Sequence, residues 1–307
     1  MGRSRPSEYD VWFDWEPSDR TEARPRRTQR SGRRPRRRSG LFRWAVVLGL
    51  CALLVLGAGR LWDGTSPAAV PGGDRVQTPF QPGAELLDQL QVLAREEPAA
   101  EVLLAYPEEL LELAVRNPEA LDFVVRYPRE KDAQPAASVG AVERGTFPQL
   151  MQWDPRWGCA PYGDGLMALN GCGPTALSMV VCGLTGDGSV TPWTVARYAD
   201  EAGYYVEGAG SKWELMSTGC QHFGLSAREL PLDRSVMVRA LEDGQPIVCS
   251  VGPGDFTTSG HFILLTGVED GKFRVNDPNR RSNSEKLWDY DTLAPQIRNL
   301  WAYTLAG

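Results

Sequence analysis

From Trp44 to Gly59 the chain reads WAVVLGLCALLVLGAG without a charge, directly after a block rich in arginine. Leu41, Phe42, Leu61 and Trp62 extend the apolar run past Arg43 and Arg60. With arginines able to snorkel and tryptophans at both ends, residues 41–62 supply the roughly 20 apolar positions needed to cross a bilayer core of about 30 Å. A helix apolar on every side fits a soluble surface poorly, because it has no polar face to turn to water. A cleaved signal peptide is the competing assignment, since Gly57-Ala58-Gly59 offers small residues for a cleavage site. The basic region ahead of it is, however, unusually long for a signal peptide. Cys51 has too little apolar sequence before it to serve as a lipoprotein cysteine. The reading is one uncleaved transmembrane helix.

Charge agrees with that assignment. Residues 1–43 hold 13 Arg, no Lys and 6 Asp or Glu, a net +7 in a chain of net −6, which leaves −13 for the remainder. A basic arm suits nucleic acid or an anionic membrane surface, and its place beside the apolar run favours the membrane. No nucleic-acid partner is expected. The arginine excess keeps the N-terminus cytoplasmic and sends everything beyond Trp62 outside.

Composition divides the rest. Residues 1–40 show no apolar periodicity and read as a disordered tail. Residues 63–83 are rich in Pro and Gly and read as a stalk. Residues 84–131 form a helical module in which Pro107, Pro118 and Pro128 each open a short apolar-periodic stretch, as proline does at the first helical position. Helices of about ten residues are marginal alone, so the module is expected to pack on the domain C-terminal to it. After a polar linker, 132–145, residues 146–307 mix short β-branched runs with helical stretches and read as one α+β domain.

Histidine occurs only at positions 222 and 261, so histidine-dependent chemistry has few addresses. Cys172 lies in Asn170-Gly171-Cys172-Gly173-Pro174-Thr175-Ala176, ahead of the apolar LSMVVCGL. Glycines on both sides allow a sharp turn, and Pro174 opens a helix. The cysteine then stands at a helix N-terminus, where the dipole and unpaired N–H groups favour thiolate and can hold an oxyanion. A small buried cysteine at a helix cap is the plainer alternative. His261 enters an apolar strand through Gly260, and Glu269-Asp270-Gly271-Lys272 turns the chain into a second strand ending at Asn276-Asp277-Pro278. That hairpin returns Asp277 to the level of His261, completing a nucleophile, base and orienting group.

Gln152-Trp153-Asp154-Pro155-Arg156-Trp157-Gly158, Tyr162-Gly163, GCGPTA at 171–176, GHFILLTG at 260–267 and VNDPN at 275–279 stand in the order of a known pattern. Residues 147–307 resemble the extracellular branch of cysteine peptidase family 39, relatives of the bacteriocin-leader-processing peptidases in the papain superfamily. The resemblance implies a papain-like fold, with a cysteine-bearing helix packed on an antiparallel sheet that carries the histidine and aspartate. It implies Cys172, His261 and Asp277 as catalytic residues, and a bacterial cell membrane as the setting. The segment containing Tyr106-Pro107-Glu108-Glu109-Leu110-Leu111 and Tyr127-Pro128 resembles the helical region preceding such domains in Gram-positive bacteria. Leader-processing relatives place an oxyanion glutamine shortly before the cysteine, whereas Met167 stands at the position that would hold it here. Gln152 is the substitute candidate, beside the Cys172 backbone, and Asn170 a weaker one. With no P-loop and one span, a role in export coupled to leader removal is not expected.

The expected chemistry is thiolate attack on a peptide carbonyl in a peptide or protein substrate, then hydrolysis of the acyl-enzyme. A peptidoglycan amidase or endopeptidase, or an acyl transferase, would use the same residues. A catalytically silent tethered binding domain is the rival from another class. No cofactor or metal is expected. Asp154, Asp164 and Asp255 do not have EF-hand spacing, and Cys220 with His222 lacks a third group. Trp153, Trp157 and Trp213 read as core or groove walls. With one cysteine as nucleophile, Cys159, Cys182, Cys220 and Cys249 are left for packing or at most two disulfides.

Overall fold

Pro107 precedes the first helix and Asn117 ends it, so the chain's own punctuation sets the opening of the structure, a computed structural model that describes residues 106–307. The tail, transmembrane helix and stalk expected over residues 1–83, and residues 84–105 of the expected helical module, lie outside the described residues. Among the described residues no helix is long and apolar enough to cross a membrane.

Helix α1 spans Glu108–Arg116 and α2 spans Leu121–Glu130, joined through a 3-10 turn at Pro118–Ala120. Pro128 does not open a third helix, contrary to the expectation from its apolar-periodic surroundings. It sits in the last turn of α2, where the N–H it lacks removes one bond and the helix ends two residues later. The module shares one apolar core with the neighbouring domain: Leu110, Phe123 and Val124 close on Met151, Trp153, Cys159 and Ala168. Residues 132–145 lie along the domain, through Ala136 N–H to the Arg156 carbonyl at 2.8 Å, Val139 N–H to the Gly188 carbonyl at 2.8 Å and Gly145 N–H to the Gly183 carbonyl at 2.8 Å.

Next come a small hairpin, β1 (Pro161–Tyr162) and β2 (Gly165–Leu166), the single turn α3 (Met167–Asn170) and the long helix α4 (Cys172–Thr185). Beyond them lie α5 (Pro192–Glu201), a second small hairpin of β3 (Tyr205–Val206) and β4 (Gly210–Ser211), and α6 (Trp213–Ser217). The remaining strands are β5 (Leu225–Glu229), β6 (Ile247–Val251), β7 (His261–Glu269), β8 (Lys272–Asn276), β9 (Leu287–Trp288) and β10 (Ile297–Leu305). Helix α7 (Arg234–Glu242) precedes β6, and the short α8 (Arg281–Ser284) and α9 (Tyr290–Leu293) flank β9.

The six strands β5 to β10 form one antiparallel sheet in the order β5-β10-β6-β7-β8-β9. The alternation of side chains decides which helix each face meets. Val248 and Leu264 join Leu177, Val180 and Val181 of α4 on one face, while Ile247, Cys249, Ile263 and Leu265 join Met237 and Leu241 of α7 on the other. Strand β6 is buried at every position, as a central strand covered by helices on both faces must be. The β7–β8 turn has Asp270 at φ 50° and Gly271 at φ 74°, the paired positive φ angles of a tight two-residue hairpin.

Candidate active site

Helix α4 carries no charged residue and is buried along almost its whole length, so its first residue is fixed by the core rather than by surface contacts. Cys172 is that first residue and is half-buried. Its neighbouring glycines are needed for space. A Cβ on Gly171 would stand 2.4 Å from the Met167 carbonyl oxygen, and one on Gly173 would stand 2.5 Å from Ser211 Oγ. Ser211 therefore lies directly against Gly173, and its hydroxyl meets Tyr162 OH at 2.7 Å.

His261 opens β7 and Asp277 comes directly after the last residue of β8, each placed by the hairpin register that pairs Leu264 with Asn276. His261 Nε2 and Asp277 Oδ1 are 2.8 Å apart, with Asp277 fully buried. That leaves Nδ1 for the Cys172 sulfur, with which the imidazole is hydrogen-bonded. Burial works against charge at all three groups, and the neighbours outweigh it. The Cys172 thiol is held below its ordinary value by the hydrogen bond and charge of His261 and by the N–H groups of Phe262 and Gly173. His261 is raised by the Asp277 carboxylate and then by Cys172. Asp277 is lowered by His261, by the Asn283 amide and by the Asn279 N–H. The carboxylate accepts from Asn283 Nδ2 at 2.7 Å on Oδ2 and from Asn279 N at 2.7 Å on Oδ1, while its own backbone N–H donates to Ser284 Oγ at 2.9 Å.

The other cysteines are built differently. Cys159, Cys182, Cys220 and Cys249 are all free and all buried. Burial pushes the first three to about 11 and Cys249, inside the sheet, higher still. Among the described residues Cys172 alone combines partial exposure with a stabilised thiolate, and no disulfide is formed.

Gln152, the residue expected to serve an oxyanion, is tied in the resting structure to the turn before Cys172. Its Nε2 donates to the Ala168 carbonyl at 2.8 Å and the Leu169 carbonyl at 3.2 Å, and its backbone N–H donates to the Pro278 carbonyl at 2.8 Å. Both amide hydrogens are thus engaged, and Gln152 ties the turn before Cys172 to the residue after Asp277. Asn170 is likewise occupied, by the Tyr162 carbonyl, Asp164 and Tyr205. The backbone at Cys172 and Gly173 remains as the helix-end donor set. Asn283, Ser284 and the α1–α2 residues Asn117 and Glu119 carry no motif that marks them in the sequence. Asn283 stands close enough to Asp277 to be suspected from the loop alone, but nothing in the sequence links Asn117 to a loop more than 160 positions away.

The remaining candidates make no contact with the Cys172–His261–Asp277 relay among the hydrogen bonds and ring contacts described. Trp153 and Trp157 are core residues, whereas Trp213 is 40% exposed with its Nε1 on Ser250 Oγ at 3.1 Å. His222 lies in a 3-10 turn, exposed and stacked on Tyr198 at 3.9 Å, and Cys220 is buried. No group of three candidate metal ligands occurs among the described residues.

A helix that begins with a cysteine, laid against an antiparallel sheet whose histidine is gripped by an aspartate, is the arrangement of the papain-like cysteine peptidase fold. The family model described as the Peptidase_C39 like family matches residues 146–305, and the chain belongs to that family. Among solved structures it is similar to one described as a C39-like peptidase from Bacillus anthracis, at 15% identity over 54% of this chain and 98% of that one, with a TM-score of 0.36. It is also similar to the peptidase domain of Streptococcus ComA, described as a bifunctional ABC transporter involved in a quorum-sensing pathway, at 17% identity over 45% and 91%, with a TM-score of 0.33. No curated protein matches the chain.

Proposed function

We propose that the protein is a membrane-anchored cysteine peptidase that cleaves peptide bonds outside the cell, with Cys172 as nucleophile, His261 as acid and base and Asp277 as the orienting carboxylate. The observation that carries this reading is the unbroken Cys172–His261–Asp277 relay, ending on a carboxylate with no exposure to solvent. The Cys172 thiolate adds to the substrate carbonyl carbon, the carbonyl π electrons move to oxygen, and the resulting oxyanion accepts a hydrogen bond from the Cys172 N–H at the helix end. Protonated His261 gives its proton to the departing amine as the C–N bond breaks, leaving a thioester on Cys172. Neutral His261 then takes a proton from water, hydroxide adds to the thioester, and the C–S bond breaks to return the thiolate and the acid. Asp277 keeps one ring nitrogen protonated throughout and favours the imidazolium. Gln152 joins as a second oxyanion donor when its longer hydrogen bond, to the Leu169 carbonyl, is exchanged for the substrate oxygen.

The anchor rests on the uncharged run at 44–59 behind its arginines. Protease protection in intact cells tests it: the domain after Trp62 is degraded from outside if the anchor reading holds, and protected if it fails. For the chemistry, the test is iodoacetamide alkylation of the full chain across pH, together with a peptide library. Fast labelling of Cys172 well below the free-thiol value of about 8.5, slowed in His261→Ala, and library cleavage lost in Cys172→Ser, support the peptidase. Slow labelling that ignores His261 overturns it in favour of a tethered binding domain.

A further inference from the structure

The loop that orients Asp277 is held from outside the peptidase domain. Asn117, at the end of α1 and 2% exposed, donates through Nδ2 to the Asn279 carbonyl at 2.6 Å and stands 3.2 Å from Asn279 Oδ1. Two residues on, the Glu119 carboxylate accepts from the backbone N–H of Arg281 at 2.6 Å, from that of Ser282 at 3.1 Å and from Ser282 Oγ at 2.6 Å. Arg280 reaches back to the Arg116 carbonyl at 2.5 Å, and Trp153 Nε1 donates to the Asn279 carbonyl at 2.7 Å. These contacts fix residues 279–284, the stretch that supplies Asn279 N–H and Asn283 Nδ2 to the two oxygens of Asp277.

The other end of the module reaches the nucleophile's side. Leu110, Phe123 and Val124 share their core with Ala168 of α3, the turn that leads into Cys172. A Cβ on Gly158 would strike the Phe123 ring at 2.6 Å, so this docking is close. The module therefore touches both segments whose relative position sets the Cys172–His261–Asp277 geometry.

We propose that Asn117 and Glu119 are positioning residues of the reaction: they hold the 279–284 turn, and through it the donors that fix the Asp277 carboxylate against His261. The proposal rests on the peptidase reading above and extends the working enzyme to include α1 and α2. Glu119 touches no reacting atom. Its effect passes through Arg281, Ser282 and Asn283 to the carboxylate, then to the charge of the imidazole, then to the fraction of Cys172 held as thiolate. A slack turn leaves Asp277 with fewer donors, weakens its hold on the imidazolium and returns the thiol toward its ordinary value.

The experiment uses the full chain and reads the pH midpoint of Cys172 alkylation, which needs no substrate, beside the melting temperature. Glu119→Gln keeps the side-chain shape and removes one anionic acceptor, and Ser282→Ala cuts the same contact from the loop side. Both are expected to raise the midpoint by about one pH unit and, once a cleavable peptide is in hand, to lower kcat about tenfold with KM unchanged. Asp277→Asn combined with Glu119→Gln is expected to match Asp277→Asn alone, since the two act through one group. Met237→Ala, in the core on the far face of the sheet, reports what lost stability does by itself, and lowers the melting temperature without moving the midpoint. Unchanged midpoints in both contact variants, or full additivity with Asp277→Asn, overturn the proposal even when the melting temperature falls. Wild-type labelling that ignores His261 fells the peptidase reading and this proposal together, whereas normal wild-type labelling with unmoved variants fells this one only.

Discussion

The two flanks of the Cys172–His261 pair are built in opposite ways. On one side, Asp277 and Asn283 are buried, and the turn that follows Asp277 is tied to the module, to Trp153 and to Asp277 itself. On the other side, the β3–β4 hairpin is exposed along its outer edge and turns through Gly208 and Gly210 at positive φ. Asp164 accepts from Tyr205 OH and from the Gly208 N–H at 3.0 Å, and Tyr162 meets Ser211. Hydrogen bonds to Tyr205 and Gly208 hold the Asp164 carboxyl below its usual range. The difference separates two tasks. The flank that sets proton positions is cross-linked around a buried carboxylate, and the flank beside Cys172 is held by a few contacts through Asp164, Asn170 and Tyr162.

The sharpest way to break this comparison is at the cross-linked flank. Asp277→Asn is expected to lower kcat by about 10²–10⁴-fold with little change in KM, as steady-state kinetics on a cleaved peptide will show. A loss confined to KM would mean that the carboxylate serves binding. Next in size is Asn283→Ala, which strips one donor from a buried carboxylate, an interaction of roughly 1.5–3 kcal/mol. Its expected signs are a lower melting temperature and a less acidic alkylation midpoint for Cys172.

The pH dependence tests the same flank by sign. Asp277 is lowered on folding, so its contribution is present above its unfolded value of about 3.9 and is lost as pH falls through the folded one. His261 is raised, so its contribution is full below about 6.5 and is lost as pH rises through the folded value. The melting-temperature gap between wild type and Asp277→Asn is therefore widest between about pH 4 and 6.5, and a gap that grows steadily toward alkaline pH would contradict the pairing.

The exposed flank is expected to give smaller effects of another kind. Asp164→Asn leaves Cys172 alkylation unchanged and lowers kcat/KM for long peptides by about threefold to tenfold, consistent with loss of charge-assisted hydrogen bonds near a surface. Trp213→Ala removes an exposed ring that stands on Trp301 and Ser250, residues of β10 and of β6, the strand beside β7. A KM rise of about twofold to fivefold is expected, in line with partial loss of apolar contact. Effects of either substitution on the alkylation midpoint would erase the division between the flanks.

How much of this is legible in the sequence depends on the range of the interactions involved. Cys172, His261 and Asp277 sit in motifs whose glycines, apolar runs and turn residues act over a few positions, and the Asp270-Gly271 turn, with a register shift between Leu265 and Gly267, carries Asp277 back to His261. The two-faced burial of β6 and β7 is likewise legible as apolar runs. The direction of the Gln152 amide is not, because it depends on which carbonyls come within reach, and those of Ala168 and Leu169 arrive through tertiary packing. The place of Pro128 is ambiguous in the sequence because a helix can tolerate proline close to its end as well as at its start. Asn117 and Glu119 have no local signature at all, since their partners lie in the loop after β8.

Strand β10 lies between β5 and β6, although it comes after every other strand in the chain. During synthesis, Cys172, His261 and Asp277 have all been made while the sheet is still missing the strand that joins β5 to its other strands. Pairing at such sequence separation is slow, because the loop-closure entropy comes due before the contacts form. The order of synthesis thus acts as a timer, and a chain still being made carries the three residues before the complete sheet exists to hold them in register.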